Sequence, residues 1–256
     1  MGRNRRCFVN NTCLEVSFRA EEGLPLIAAA YMRVILKGII AKAFELYDIT
    51  VCHMLVMSNH VHGILVVEDP ECVKDFVGYI KRESAHAINR LLGRRKRTIW
   101  CEGYAGTVIL DAEKAIERIV YLYTNPQEAG LVEKIEDYPN LSTWEYFVSG
   151  GGELRARRIP RHSISPLPSK DLSLAEQQQY ACELEEQGEE ESVMFIDPDA
   201  WMRCFPELGE SDCESVNRTI VERIRAKELA FSRNRAKPVF GAHALRIERM
   251  NKPHVP

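Results

Sequence analysis

The stretch Cys52–Val67, CHMLVMSNHVHGILVV, decides the fold. It is apolar on both sides of one polar island, Ser58-Asn59-His60-Val61-His62. The flanking runs are short, rich in Val, Ile and Leu and free of proline, which predicts two buried strands or one long bent strand. Side chains two apart on a strand project from the same face, so His60 and His62 stand together with Val61 turned away. Two neutral imidazoles side by side on a rigid strand form half of a site for a first-row divalent ion. The same pair also suits hydrogen-bonded core or edge positions of a sheet.

Working outward, Ile49–Val56 opens the strand that His60–Val67 continues or pairs with. Upstream, residues 27–46 (IAAAYMRVILKGIIAKAFEL) carry apolar residues at helical spacing, and residues 7–18 read as a first strand. Downstream, Asp69-Pro70 opens a helix to about Leu92, with Val73, Phe76, Val77 and Ile80 on one face. Thr107–Leu110 reads as the last strand. Asp111 then caps a helix whose apolar stripe is Ile116, Ile119, Val120 and Tyr123, and Pro126 is expected to stop it soon after Asn125.

Residues four apart on a helix lie over one another, so Tyr121 and Asn125 share a face. Tyr123 lies roughly 200° further round from Tyr121 at about 3.6 residues per turn. A phenol and an amide on one face place a nucleophile candidate beside an oxygen that can complete an ion shell begun by the two histidines.

With 256 residues, 45% hydrophobic and 28% charged, the chain has the composition of ordinary globular protein. No apolar run approaches the ~20 residues of a membrane span, and the basic start lacks a signal-type apolar segment, so a cytoplasmic protein is expected. The eight cysteines form no C-x-x-C pair and are read as free thiols. The net charge of −3 hides segregation: residues 171–200 carry ten acidic and no basic residues, while residues 151–170 carry five basic and one acidic. The densest basic run is Arg94-Arg95-Lys96-Arg97. It reads either as a solvated loop or, with Lys81 and Arg82, as a phosphate-contacting surface. Trp100 suits either core burial or stacking on an unpaired base.

The order NHVH, then Trp100-Cys-Glu-Gly-Tyr104, then Tyr121-Leu-Tyr-Thr-Asn125-Pro-Gln-Glu-Ala-Gly130-Leu-Val, resembles the HUH single-tyrosine transposases of IS200 type, in particular the REP-associated branch. The resemblance covers roughly residues 5–147. It implies an α+β fold, a ferredoxin-like antiparallel sheet with helices on one face. It implies Tyr121 as nucleophile, and His60, His62 and Asn125 as ligands of Mg²⁺ or Mn²⁺. The implied reaction is nicking and joining of single-stranded DNA bearing hairpin repeats, through a 5′-phosphotyrosine. Ser58 stands where relatives carry Pro, and Tyr123 where they often carry His. Two other readings stay open: a domesticated hairpin binder without turnover, and an unrelated H-x-H metallohydrolase.

The expected organisation is a catalytic domain over residues 5–148, a basic linker over 149–170, and a helical extension over 171–256. Helices are predicted from Ser173 and over 212–235. The extension suits an accessory DNA contact or a packing or dimerisation arm, and monomer and homodimer are equally open.

Overall fold

The computed structural model describes residues 12–21, 26–69, 71–95, 97–209, 212–248 and 250. The first six elements are β1 (Thr12–Arg19), α1 (Ala30–Leu46), β2 (Ile49–Val56), β3 (His60–Val67), α2 (Glu71–Leu91) and β4 (Ala105–Val108). β2 and β3 pair across Met57-Ser58-Asn59 as an antiparallel hairpin, which decides between the two readings of the central stretch. The four strands stand in the order β4-β1-β3-β2 with every neighbouring pair antiparallel. This βαββαβ arrangement is ferredoxin-like, as the resemblance implied. The first strand of the sequence reading begins at residue 7, and its residues 7–11 lie outside the described residues.

Alternation along the strands builds two cores. Leu14, Val16, Val61, Leu65 and Val67 face α1 and α2. Cys13, Leu55 and Ile64 face the other way, against α3 (Ala112–Glu128). The expectation of helices on one face therefore holds for α1 and α2, while α3 covers the second face. Both sides of the sheet are dry, which explains the near-continuous apolar runs of β2 and β3.

After the short α4 (Trp144–Val148) the chain departs from the expected linker and helical extension. Residues 152–157 form β5 (Gly152–Arg157), and β6 (Glu191–Ile196) follows α5 (Leu174–Glu186). β5 and β6 are antiparallel, and β6 joins β2 in parallel at Val51↔Ile196, so the sheet has six strands. The basic and acidic segments neutralise one another: Arg155 meets Glu191, Arg158 meets Glu189, and Lys42 of α1 meets Glu190. A Cβ on Gly38 of α1 would collide with the carbonyl of Arg157, so this face of the helix must be bare for β5 to approach. α6 (Cys213–Asn234) lays Ile220 and Ile224 against the core that holds α3. The final α7 (Ala242–Ile247) inserts Leu245 into the same core. The described residues after Ser149 thus supply two strands of the sheet and side chains to both cores. Among the described residues no helix is long and apolar enough to cross a membrane.

Candidate active site

β3 and α3 bring the predicted site residues together. Asp111 caps α3 by accepting from the Lys114 N–H at 2.7 Å. The helix does not stop at Pro126 but runs to Glu128 with the proline inside it. Gly130, at φ 68°, then turns the chain, and Leu131 N–H donates back to the Pro126 carbonyl. A proline near a helix end costs one ladder bond only, and this turn supports the carbonyl beneath it.

The His60 and His62 rings lie 4.6 Å apart, nearly perpendicular. His60 Nδ1 is 2.6 Å from Asn59 Oδ1, so the proton sits on Nδ1 and the Nε2 lone pair is free. Asn125 Nδ2 approaches that Nε2 to 3.5 Å, and an amide rotation puts Oδ1 in the same place. The Tyr121 ring stands perpendicular to that of His62 at 5.8 Å between centroids. All four expected residues converge on one spot.

Burial, with His62 and Arg19 nearby, holds the His60 pKa down to about 4. Burial, with Arg118 nearby, holds His62 to about 4 as well. Both rings are therefore neutral at neutral pH, as ligation requires. His62 Nδ1 is buried and makes no hydrogen bond, a polar atom that an ion would satisfy. Among the described residues no His, Cys, Asp or Glu cluster adds a third protein ligand of those types. The donor set is two imidazoles and one amide, with open positions, and it suits a divalent cation.

Tyr123, the rival phenol, is fully buried. Its hydroxyl lies 2.9 Å from His53 Nδ1 and 3.0 Å from Thr143 Oγ1, and its ring stacks on Phe147 at 5.8 Å. Burial drives its pKa far up. Tyr121 is only partly buried and faces the histidine pair.

The expected nucleic-acid surface divides. Arg82, Arg95 and Arg97 are exposed, and Arg94 is half-buried. Lys96 lies outside the described residues. Lys81 is not a free cation: its Nζ donates to the carbonyls of Cys101 and Gly103, both at 2.7 Å. Trp100 corrects the stacking expectation. It is 5% exposed, donates from Nε1 to Ser84 Oγ at 2.9 Å, and meets Phe18 edge-on.

Two cations beside the histidines were not singled out from the sequence. Arg118 lies one turn before Tyr121 on α3 and pairs with Glu15 at 3.4 Å. Arg19 stands opposite His60 across the β1–β3 ladder. The helical spacing of Arg118 and Tyr121 was a signal for the first; the partner of Arg19 depends on strand register.

Residues 24–121 match the family model described as transposase IS200 like. No curated protein sequence matches the chain. A solved REP-associated tyrosine transposase bound to a REP hairpin is similar at 20% identity and TM-score 0.49, over 58% of this chain and 86% of that one. A crystal structure of a candidate transposase from Deinococcus radiodurans is similar at 16% identity and TM-score 0.30, over 46% of this chain and 93% of the other. Over residues 24–121 the chain is similar to the IS200-like transposases, a family of DNA-processing enzymes.

Proposed function

We propose that the chain nicks and rejoins single-stranded DNA through Tyr121, acting in the cytoplasm on strands that carry hairpin repeats. The observation that carries this reading is the convergence of Tyr121 with His62, His60 and Asn125, while Tyr123 is locked in the core. The substrate class rests on the resemblance of the NHVH and YLYTNPQEAGLV segments to the REP-associated branch.

His60, His62 and Asn125 would hold Mg²⁺ or Mn²⁺, which supplies Lewis-acid polarisation of a phosphate oxygen when bound. Tyr121 Oη attacks the scissile phosphorus and loses its proton to solvent. The P–O3′ bond breaks, the 3′-oxygen leaves as a hydroxyl after taking up a proton, and a 5′-phosphotyrosine ester remains. Attack by a second 3′-hydroxyl reverses these steps and frees the phenol. Asn59 fixes the tautomer and orientation of His60 throughout. Arg118 and Arg19 place positive charge beside the pair, where a phosphodiester would sit.

The test is incubation of the full chain with single-stranded hairpin oligonucleotides and Mn²⁺, followed by denaturing electrophoresis. A covalent protein–DNA species that requires the ion and is absent in Tyr121→Phe supports the reading. Binding with no covalent species favours a hairpin binder without turnover, and nicking that survives Tyr121→Phe points to water as nucleophile.

A further inference from the structure

The six-stranded sheet forks along β2. Val51 pairs with Ile196 of β6, but beyond it β2 turns to another partner: Val56 N–H donates to the Leu141 carbonyl, and Thr143 N–H donates to the Met54 carbonyl. Between the arms, against α1, lies a cavity of about 580 Å³. That volume is within the range of small-molecule sites, about 300–1,000 Å³.

Its lining combines charge with a flat apolar body. Arg33 and Lys37 project from successive turns of α1, and Arg246 comes from α7. Met54, Leu154 and Met194 supply apolar wall, and half-buried Tyr146 supplies a ring. Among the described residues none of the three cations forms an ion pair, and Arg33 Nε is buried without a hydrogen bond. Two like charges at i and i+4 repel, and partial burial strengthens that repulsion. Burial, with Arg246 nearby, lowers the Arg33 pKa, and burial, with Arg33 nearby, lowers that of Lys37. Of the acids on the wall, Glu136 is already bound by Arg225, which leaves Glu145 there, together with Glu185 near Lys37, to offset the cluster. Three unpaired cations around an apolar cleft are costly alone and complementary to an anion.

We infer that this cavity binds a nucleoside monophosphate unit, its phosphate against Arg33, Lys37 and Arg246 and its base against Tyr146 and the two methionines. Inorganic phosphate would leave the apolar wall uncovered, and an uncharged ring compound would leave the cations unpaired. The unit is either a free nucleotide or one residue of a single strand. None of His60, His62, Tyr121 and Asn125 lines the cavity, so this site is separate from the histidine pair.

Calorimetric titration of the full chain tests it, with AMP, dTMP, adenosine and inorganic phosphate as separate probes. At least one of the two monophosphates is expected to bind at least tenfold more tightly than adenosine or phosphate. Lys37→Gln and Arg246→Gln are each expected to weaken it at least fivefold, with thermal unfolding confirming that both variants fold; Arg246 is exposed, so its replacement spares the core. Competition by a short unstructured oligodeoxynucleotide assigns the unit to a strand, and its absence assigns it to a free nucleotide. Monophosphates that bind no better than phosphate, or that bind equally to both variants, overturn the inference. The readout is binding alone, so it stands or falls independently of whether Tyr121 cuts DNA.

Discussion

The hydroxyl of Tyr123 and Nδ1 of His53 lie 2.9 Å apart in a position closed to solvent, with Thr143 Oγ1 3.0 Å away on the other side. Two tyrosines two residues apart on one helix thus have unrelated tasks. Tyr123→Phe is expected to keep nicking activity and lose about 1–3 kcal/mol of stability, because His53 and Thr143 are left without their partner. Tyr121→Phe is expected to do the reverse. Urea denaturation alongside the covalent-complex assay separates the two, and a Tyr123→Phe protein that is stable but inactive would contradict the assignment.

The same pair sets a pH dependence. Burial holds the His53 pKa down to about 3 in the fold, against 6.5 unperturbed. A base with a depressed folded pKa binds fewer protons when folded, so its stabilisation is full above about pH 6.5 and drains away as pH falls toward 3. In chelator, unfolding free energy is expected to fall by up to about 1.4 kcal/mol per pH unit from this residue between those limits. Tm followed from pH 7 to pH 4 measures it. His53→Gln should show a shallower acid limb, and an unchanged limb would refute the cause.

Chelation should stop nicking while leaving far-ultraviolet circular dichroism unchanged, because both cores are built from apolar side chains other than His60, His62 and Asn125. His60→Ala and His62→Ala are each expected to lose Mn²⁺ binding and nicking together. Asn125→Asp, which keeps an oxygen and adds charge, should bind Mn²⁺ at least as well as the parent chain, whereas Asn125→Ala should bind it more weakly. Electron paramagnetic resonance titration of free Mn²⁺ reads all four.

On the basic surface, Arg95→Ala and Arg97→Ala should each weaken single-strand binding and reduce the salt slope of log K by about 0.7. Lys81→Ala should leave that slope in place and instead loosen the Cys101–Gly103 turn that its ammonium holds. Fluorescence anisotropy at several salt concentrations distinguishes the two effects.

Gly38→Ala is expected to destabilise the chain by more than the few tenths of a kcal/mol usual for an exposed change, since the methyl group meets the Arg157 carbonyl. A neutral or stabilising result, as for Gly→Ala in an unobstructed helix, would mean that β5 does not seat against α1.

The sheet centre and the active-site helix were legible because their signals are local. His60, Val61 and His62 alternate faces by strand geometry alone, and Asp111 announces α3 through its own side chain. β5 was hidden because half of its residues, Glu153, Arg155 and Arg157, are outward-facing charges, and Arg155 and Glu191 acquire meaning only when the ladder pairs β5 with β6. Burial of Trp100 depends on Phe18 and Ser84, and the task of His53 on Tyr123, partners distant in sequence. The α3 helix passes Pro126 because the following turn compensates, which no propensity for proline reveals.

The parallel neighbour of Val51 is Ile196, about 145 positions later in the chain. At synthesis rates of about 5–20 residues per second, β2 waits roughly 7–30 s on the ribosome before its outer edge is fully covered. Until then residues 141–143 shield its second half, and its first half presents open amides and carbonyls of the kind that recruit foreign strands. A premature stop codon between residues 158 and 190, which removes β6, should therefore yield inclusion bodies, and co-expressed chaperones should matter more for this chain than for one whose sheet closes within its first hundred residues.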